Sequence, residues 1–172
     1  MRALLLLVLL SSLLVGCAET AERPEPTAAP AAGTTAEPEE TAGGTESRTV
    51  TINASSGERV RVRVEIADNH MGRIIGLRGR ESLPENRGML FVYAEEAKRA
   101  FTMEAGLGME GTLIPLSIAF MDSRGHIVDI QDMEPGRGGY VSAKPAQYAL
   151  EVNQGFFDSR GVEVGDSAEL PV

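Results

Sequence analysis

Arg59-Val60-Arg61-Val62-Arg63-Val64-Glu65-Ile66-Ala67 alternates apolar and charged side chains without a break. Successive side chains of an extended chain point to opposite faces. Val60, Val62, Val64 and Ile66 therefore share one face, and Arg61, Arg63 and Glu65 share the other. The pattern predicts a half-buried strand with one wet face, as antiparallel sheets have.

The flanking sequence extends this reading. Asp68 or Asn69 can cap a short helix through Met71, Ile74 and Ile75 to Leu77, with Gly72, Gly76 and Gly79 weakening and ending it. Residues 83–88 (LPENRG) read as a turn, and Met89 to Tyr93 as an apolar strand. Arg99 to Met103 is a further short strand. Thr112 to Asp122 is a second apolar segment whose Pro115 marks an edge, a bulge or a strand start. A turn at Ser123-Arg124-Gly125 returns the chain as a strand over His126 to Met133, with Val128 and Ile130 facing the core. Pro135 to Gly139 is a loop. Tyr148, Leu150 and Val152 alternate in the next strand. Gly155 to Arg160 predicts a helical turn, and the segment 161–170 a last strand. The sum is an α+β domain, mainly antiparallel β, with a compact rolled or barrel-like sheet and two short helices.

The N-terminus predicts an address. Met1-Arg2 precedes an uncharged run from Ala3 to Val15, and Leu14-Val15-Gly16-Cys17 closes it. A basic start, a short apolar run, small residues and a cysteine make up a lipoprotein signal. The run is too short for a bilayer core, which needs roughly twenty residues. Residues 1–16 are expected to be the signal peptide, with Cys17 as the lipidated first mature residue. Ala18, rather than Asp, follows Cys17 and favours the periplasmic side of the outer membrane in a Gram-negative cell. Cys17 is the one cysteine of the 172 residues, so lipidation leaves no thiol for a disulfide, a nucleophile or a metal site.

Residues 17–47 are rich in Ala, Pro, Thr, Glu and Gly and hold no large apolar side chain. They are expected to be a disordered tether. This segment carries seven acidic residues against Arg23, so most of the net charge of −9 lies there. Residues 48–172 form one domain of mildly acidic, mixed charge, a balance that argues against nucleic acid.

Within that domain, GLRGRESLPENRGMLFVY (76–93), TLIPLSIAFMDSRGHIVDI (112–130), YALEVNQGF (148–156) and GVEVGD (161–166) stand in order. From Val64 to Glu169 the chain resembles the bacterial and archaeal domain of unknown function 192. The resemblance implies a compact β-rich fold, often exported, and no reaction. The chain departs from the family where Thr102 and Glu104 stand at expected Trp and Lys positions, where residues 105–111 (AGLGMEG) are inserted, and where Ser117 replaces an Asp.

Candidate site residues follow from the polar positions retained in those motifs and from carboxylates. Arg80 and Glu81 lie in one motif, Glu151 and Asn153 in another, and Glu104 opens the insertion. Arg80 has the fork geometry to clamp a carboxylate or phosphate, or to make a structural salt bridge. Glu81, Glu104 and Glu151 are the carboxylates available for general acid–base work. Leu107 and Met109, set among glycines, offer either a contact surface or packed apolar anchors. His70 and His126 lie far apart, and no serine has an identifiable base, so no metal, no cofactor and no catalytic residue is assigned. The leading expectation is a non-enzymatic binding or interaction domain, held to the membrane by its lipid anchor and taking an envelope protein, peptide or glycan. The alternative is a carboxylate-dependent hydrolase acting on an envelope polymer.

Overall fold

The structure, a computed structural model, describes residues 48–172. The expected signal peptide, Cys17 and the tether lie outside the described residues. The elements are β1 (Arg48–Asn53), β2 (Arg59–Ala67), α1 (His70–Ile75), β3 (Arg87–Ala97), β4 (Ala100–Thr102), β5 (Leu116–Met121), β6 (Ile127–Met133), β7 (Gly138–Val141), β8 (Ala146–Asn153) and β9 (Ser167–Glu169).

Seven strands form one sheet in the order β6-β5-β8-β3-β2-β1-β9, while β4 and β7 pair as a separate ribbon. Most neighbours are antiparallel, but β2 and β3 run parallel, from Arg63 opposite Arg87 to Ala67 opposite Phe91. A parallel pair needs a crossover rather than a tight turn, and α1 lies within that crossover. The sheet is therefore mixed. It curls into a half-barrel. Its first and last strands meet at one end, where His126 bridges Ser167. There the Ile127 N–H donates to the Asp166 carbonyl at 2.8 Å, and the Ala168 N–H to the Gly125 carbonyl at 2.9 Å.

The strand at 59–67 forms as its alternation predicts, with Val60, Val62 and Val64 buried and Arg61 and Arg63 exposed. Asn69 caps α1, its Oδ1 accepting from the Gly72 N–H at 2.8 Å. The second expected helix is a three-residue 3₁₀ turn at Asp158–Arg160, and Gly161 ends it in the left-handed region at φ 62.

The 83–88 turn is shorter than predicted, because β3 begins at Arg87. Gly88 is a strand residue. A Cβ there would lie 2.4 Å from the Glu151 carbonyl oxygen, so glycine lets the β8 backbone approach. Strands β1 and β7 were not foreseen: β1 begins where the acidic spacer ends, and β7 opens with two glycines that read as loop. Val128 and Ile130 do not share a face. A register shift lies between Phe120 and Met121 on β5, opposite this part of β6. The resulting irregularity sends Val128 to one apolar cluster and Ile130 to the other.

Two clusters sandwich the sheet. Val60, Val62, Leu90, Leu150 and Val152 pack with Phe156 and Phe157 on one side. Phe91, Ile118, Phe120 and Ala149 pack with Leu77, Leu83 and Met103 on the other. Strands β3, β5 and β8 are thus buried on both faces. That second side, roofed by α1 and the β4–β7 ribbon, holds the candidate site.

Candidate functional site: a roofed cleft over Glu151

Leu150 and Val152 point into the first cluster, so Glu151 between them points to the opposite face. It stands opposite Met89 on β3 and Ile118 on β5. Its residue exposure is 5%. Nothing among the described residues hydrogen-bonds its carboxyl. Burial pushes that carboxyl up from the ordinary 4.5 to about 8, against the pull of the Arg78 guanidinium. At neutral pH the group is mainly an uncharged O–H donor.

Glu151 lines a cleft of about 180 Å³. Arg73 and the turn through Gly76 to Arg78 form one wall, Phe91 and Tyr93 of β3 another, and Phe101 and Thr102 of β4 a third; Leu107 also lines it. Phe101 stands edge-on to Phe91 at 5.0 Å between ring centroids. Arg78 is fixed by carbonyls: its Nε donates to Ile74 and its Nη1 to Glu104 and Glu110. Arg73 donates from Nη1 to the Val92 carbonyl at 2.9 Å. Arg99 stacks on the Tyr93 ring at 3.8 Å. Burial raises the Tyr93 phenol, while Arg99 and Arg73 pull it back.

The insertion contributes the mouth. Gly106 and Met109 exchange both backbone hydrogen bonds, at 3.1 and 2.9 Å. Between them Leu107 sits at φ 53, the one non-glycine residue with positive φ among those described. It is 85% exposed. An apolar side chain in a costly backbone conformation, turned to solvent at the edge of a cleft, is a feature that functional sites carry.

Of the candidate residues Arg80, Glu81, Glu104, Glu151 and Asn153, only Glu151 lines this cleft, together with Leu107 of the insertion. Arg80 is engaged with Glu65 through two hydrogen bonds of 2.6 and 2.7 Å. Asn153 donates to the Leu83 carbonyl at 2.9 Å and pins the 83–84 turn. Glu81 is exposed on the loop after α1. Glu104 accepts from the Thr102 hydroxyl at 3.0 Å, and its own carbonyl holds Arg78. Arg73, Arg78 and Tyr93 were missed. Nothing in their local sequence separates them from ordinary surface residues, because the roof that gathers them is tertiary.

Glycosidases of the two-carboxyl kind need a pair about 5 to 9.5 Å apart. Glu151 is the single carboxyl among the residues lining this cleft. Ser117, where the family resemblance expects Asp, lies in a different depression and is fully engaged. Its hydroxyl donates to Asp132 at 2.5 Å and accepts from the Gly155 N–H at 2.9 Å.

The family model for domain of unknown function 192, described as "Uncharacterized ACR", matches residues 51–170. The chain belongs to the DUF192 family. That span runs from β1 to the end of β9, so the whole half-barrel is the family domain. A UPF0127 protein of Pyrococcus furiosus is 30% identical over 118 residues, covering 69% of this chain and 95% of its own. A UPF0127 protein of Pyrococcus abyssi is 30% identical over 120 residues, covering 70% and 96%. Among solved structures, a Sinorhizobium meliloti protein described as a proposed transcription regulator superposes with a TM-score of 0.67. It is 29% identical and covers 73% of this chain and 94% of its own. A protein of unknown function from Novosphingobium aromaticivorans gives 0.64 at 28% identity, covering 71% and 84%. In this DUF192 domain, Thr102 puts a short side chain on the cleft wall where the family resemblance expects Trp.

Proposed function

We propose that this DUF192 protein is a lipid-tethered binding domain of the cell envelope, and that the cleft over Glu151 is where it takes a small ligand. The observation that carries the reading is the Glu151 carboxyl, which lines the cleft on a residue only 5% exposed and is pushed up to about 8 by that burial. The membrane address rests on the Leu14-Val15-Gly16-Cys17 signal. The single cleft carboxyl favours binding over two-carboxyl glycoside hydrolysis.

The test is a fragment panel of anionic, cationic and neutral members, read by backbone-amide shifts of the full chain in detergent micelles. At least one member should move the amides of Thr102, Thr112 and Glu151 in a saturable way. Thr102→Trp should abolish that response while the protein stays folded, because an indole fills a cleft of about 180 Å³. A response confined to other parts of the sheet, or one that survives Thr102→Trp, overturns the reading.

A further inference from the structure

The cleft has a chemical bias that its donor and acceptor inventory exposes. Backbone carbonyls hold the two arginines in place: Ile74, Glu104 and Glu110 accept from Arg78, and Val92 accepts from Arg73. The donors are not spent. A guanidinium carries five N–H groups. Arg78 has committed Nε and Nη1, which leaves both Nη2 hydrogens; Arg73 has committed one bond from Nη1. Both arginines line the cleft. The apolar surface there is also specific. Phe101 lies on one wall, and Ile75 and Leu107 are exposed among the lining residues.

We propose that the Glu151 cleft takes a small organic carboxylate, held through its oxygens by Arg78 and Arg73 with the Glu151 O–H as a third donor, its apolar part lying on Phe101 beneath Leu107. The inference rests on the ligand-cleft reading above and names its ligand class. The charged and titratable groups around Glu151 are Arg73 and Arg78 from α1 and the turn after it, Tyr93 from β3 and, stacked on that ring at 3.8 Å, Arg99. Glu104 sits beyond Thr102, its carboxylate turned to the Thr102 hydroxyl. With Glu151 protonated, the lining residues carry two positive charges and no negative one. An ammonium ligand would meet that charge unfavourably, whereas a carboxylate is paired by it. Binding also needs the Glu151 proton, which the raised acidity range of this carboxyl supplies near neutrality.

Phenylacetate and benzylamine are the probes, being alike in shape and opposite in charge. The full chain in detergent is titrated with each at about pH 6 and about pH 9, with the Thr102 and Thr112 amides as readout. Phenylacetate should bind at the lower pH and weaken about tenfold at the higher, as Glu151 loses its proton. Glu151→Gln, which keeps a neutral donor, should bind phenylacetate with no such pH dependence. Arg73→Met should weaken it, and it leaves untouched the Arg78 contacts on which local folding rests. Benzylamine binding more tightly than phenylacetate, or phenylacetate strengthening as the pH rises, overturns the carboxylate inference and leaves the cleft reading intact. Silence from both probes while a neutral fragment binds does the same. Silence from the whole panel overturns both.

Discussion

Arg80 grips Glu65 with two near-parallel hydrogen bonds, Nη1 to Oε1 at 2.6 Å and Nη2 to Oε2 at 2.7 Å. The pair ties the loop after α1 to the polar face of β2. The hydrogen bond to Glu65 is the main reason the Arg80 guanidinium holds its proton more tightly than usual. Both side chains are about a third exposed, at 34% and 31%, so solvent screens part of the attraction. Arg80→Ala should cost about 1 kcal/mol and lower the melting temperature by about 3 °C. Phenylacetate shifts should not change. A loss of binding with no loss of stability would give Arg80 a ligand role that its geometry here does not provide.

Ser117 has a comparable structural part. Buried at 1% exposure, its hydroxyl links Asp132 on β6 to the backbone N–H of Gly155 after β8. Alanine there leaves the Gly155 N–H and a carboxylate oxygen without this partner. The expected loss is about 1–3 kcal/mol, read as a lower midpoint in urea with an unchanged slope. A change below the error of the midpoint would mean that water replaces the hydroxyl without cost.

Glu151 couples folding to pH. Its folded value of about 8 stands above the ordinary 4.5. Between those two values the folded protein keeps a proton that the unfolded chain has released. Stability from this group is therefore full at low pH, falls as pH rises through the window, and levels off above about 8. Glu151→Gln removes that slope, so the difference in stability between variant and parent should move in the variant's favour from about pH 5 to pH 9. Parallel stability curves across that range would place the carboxyl in contact with bulk water.

Cys17 carries the membrane prediction. Cys17→Ser removes the thiol that would be joined to diacylglycerol, and the protein should leave the membrane fraction for the soluble one. Acyl chains contribute about 0.8 kcal/mol per buried methylene, so losing them releases the domain. Retention in the membrane after this substitution would show that another feature anchors it.

The alternation of residues 59–67 was enough to name β2 and its buried face, because a period of two has one structural reading and Asn69 caps the helix that follows through its own side chain. The motifs from 76 to 166 were enough to name the family. Strand direction was not legible. Nothing within β2 says that its neighbour β3 runs parallel, since that depends on where the crossover through α1 returns the chain. The face of Val128 was not legible either, because the strand irregularity that moves it lies in the pairing with β5. Glu151 shows the division most plainly. The alternation of Tyr148, Leu150 and Val152 placed it on the opposite side of its strand. Whether that side is wet or dry is settled by α1, the β4–β7 ribbon and the 105–111 insertion, which close over it from distant parts of the chain. The same glutamate under water would be an ordinary carboxylate. Roofed, with Arg78 beside it, its carboxyl is pushed up to about 8 by burial.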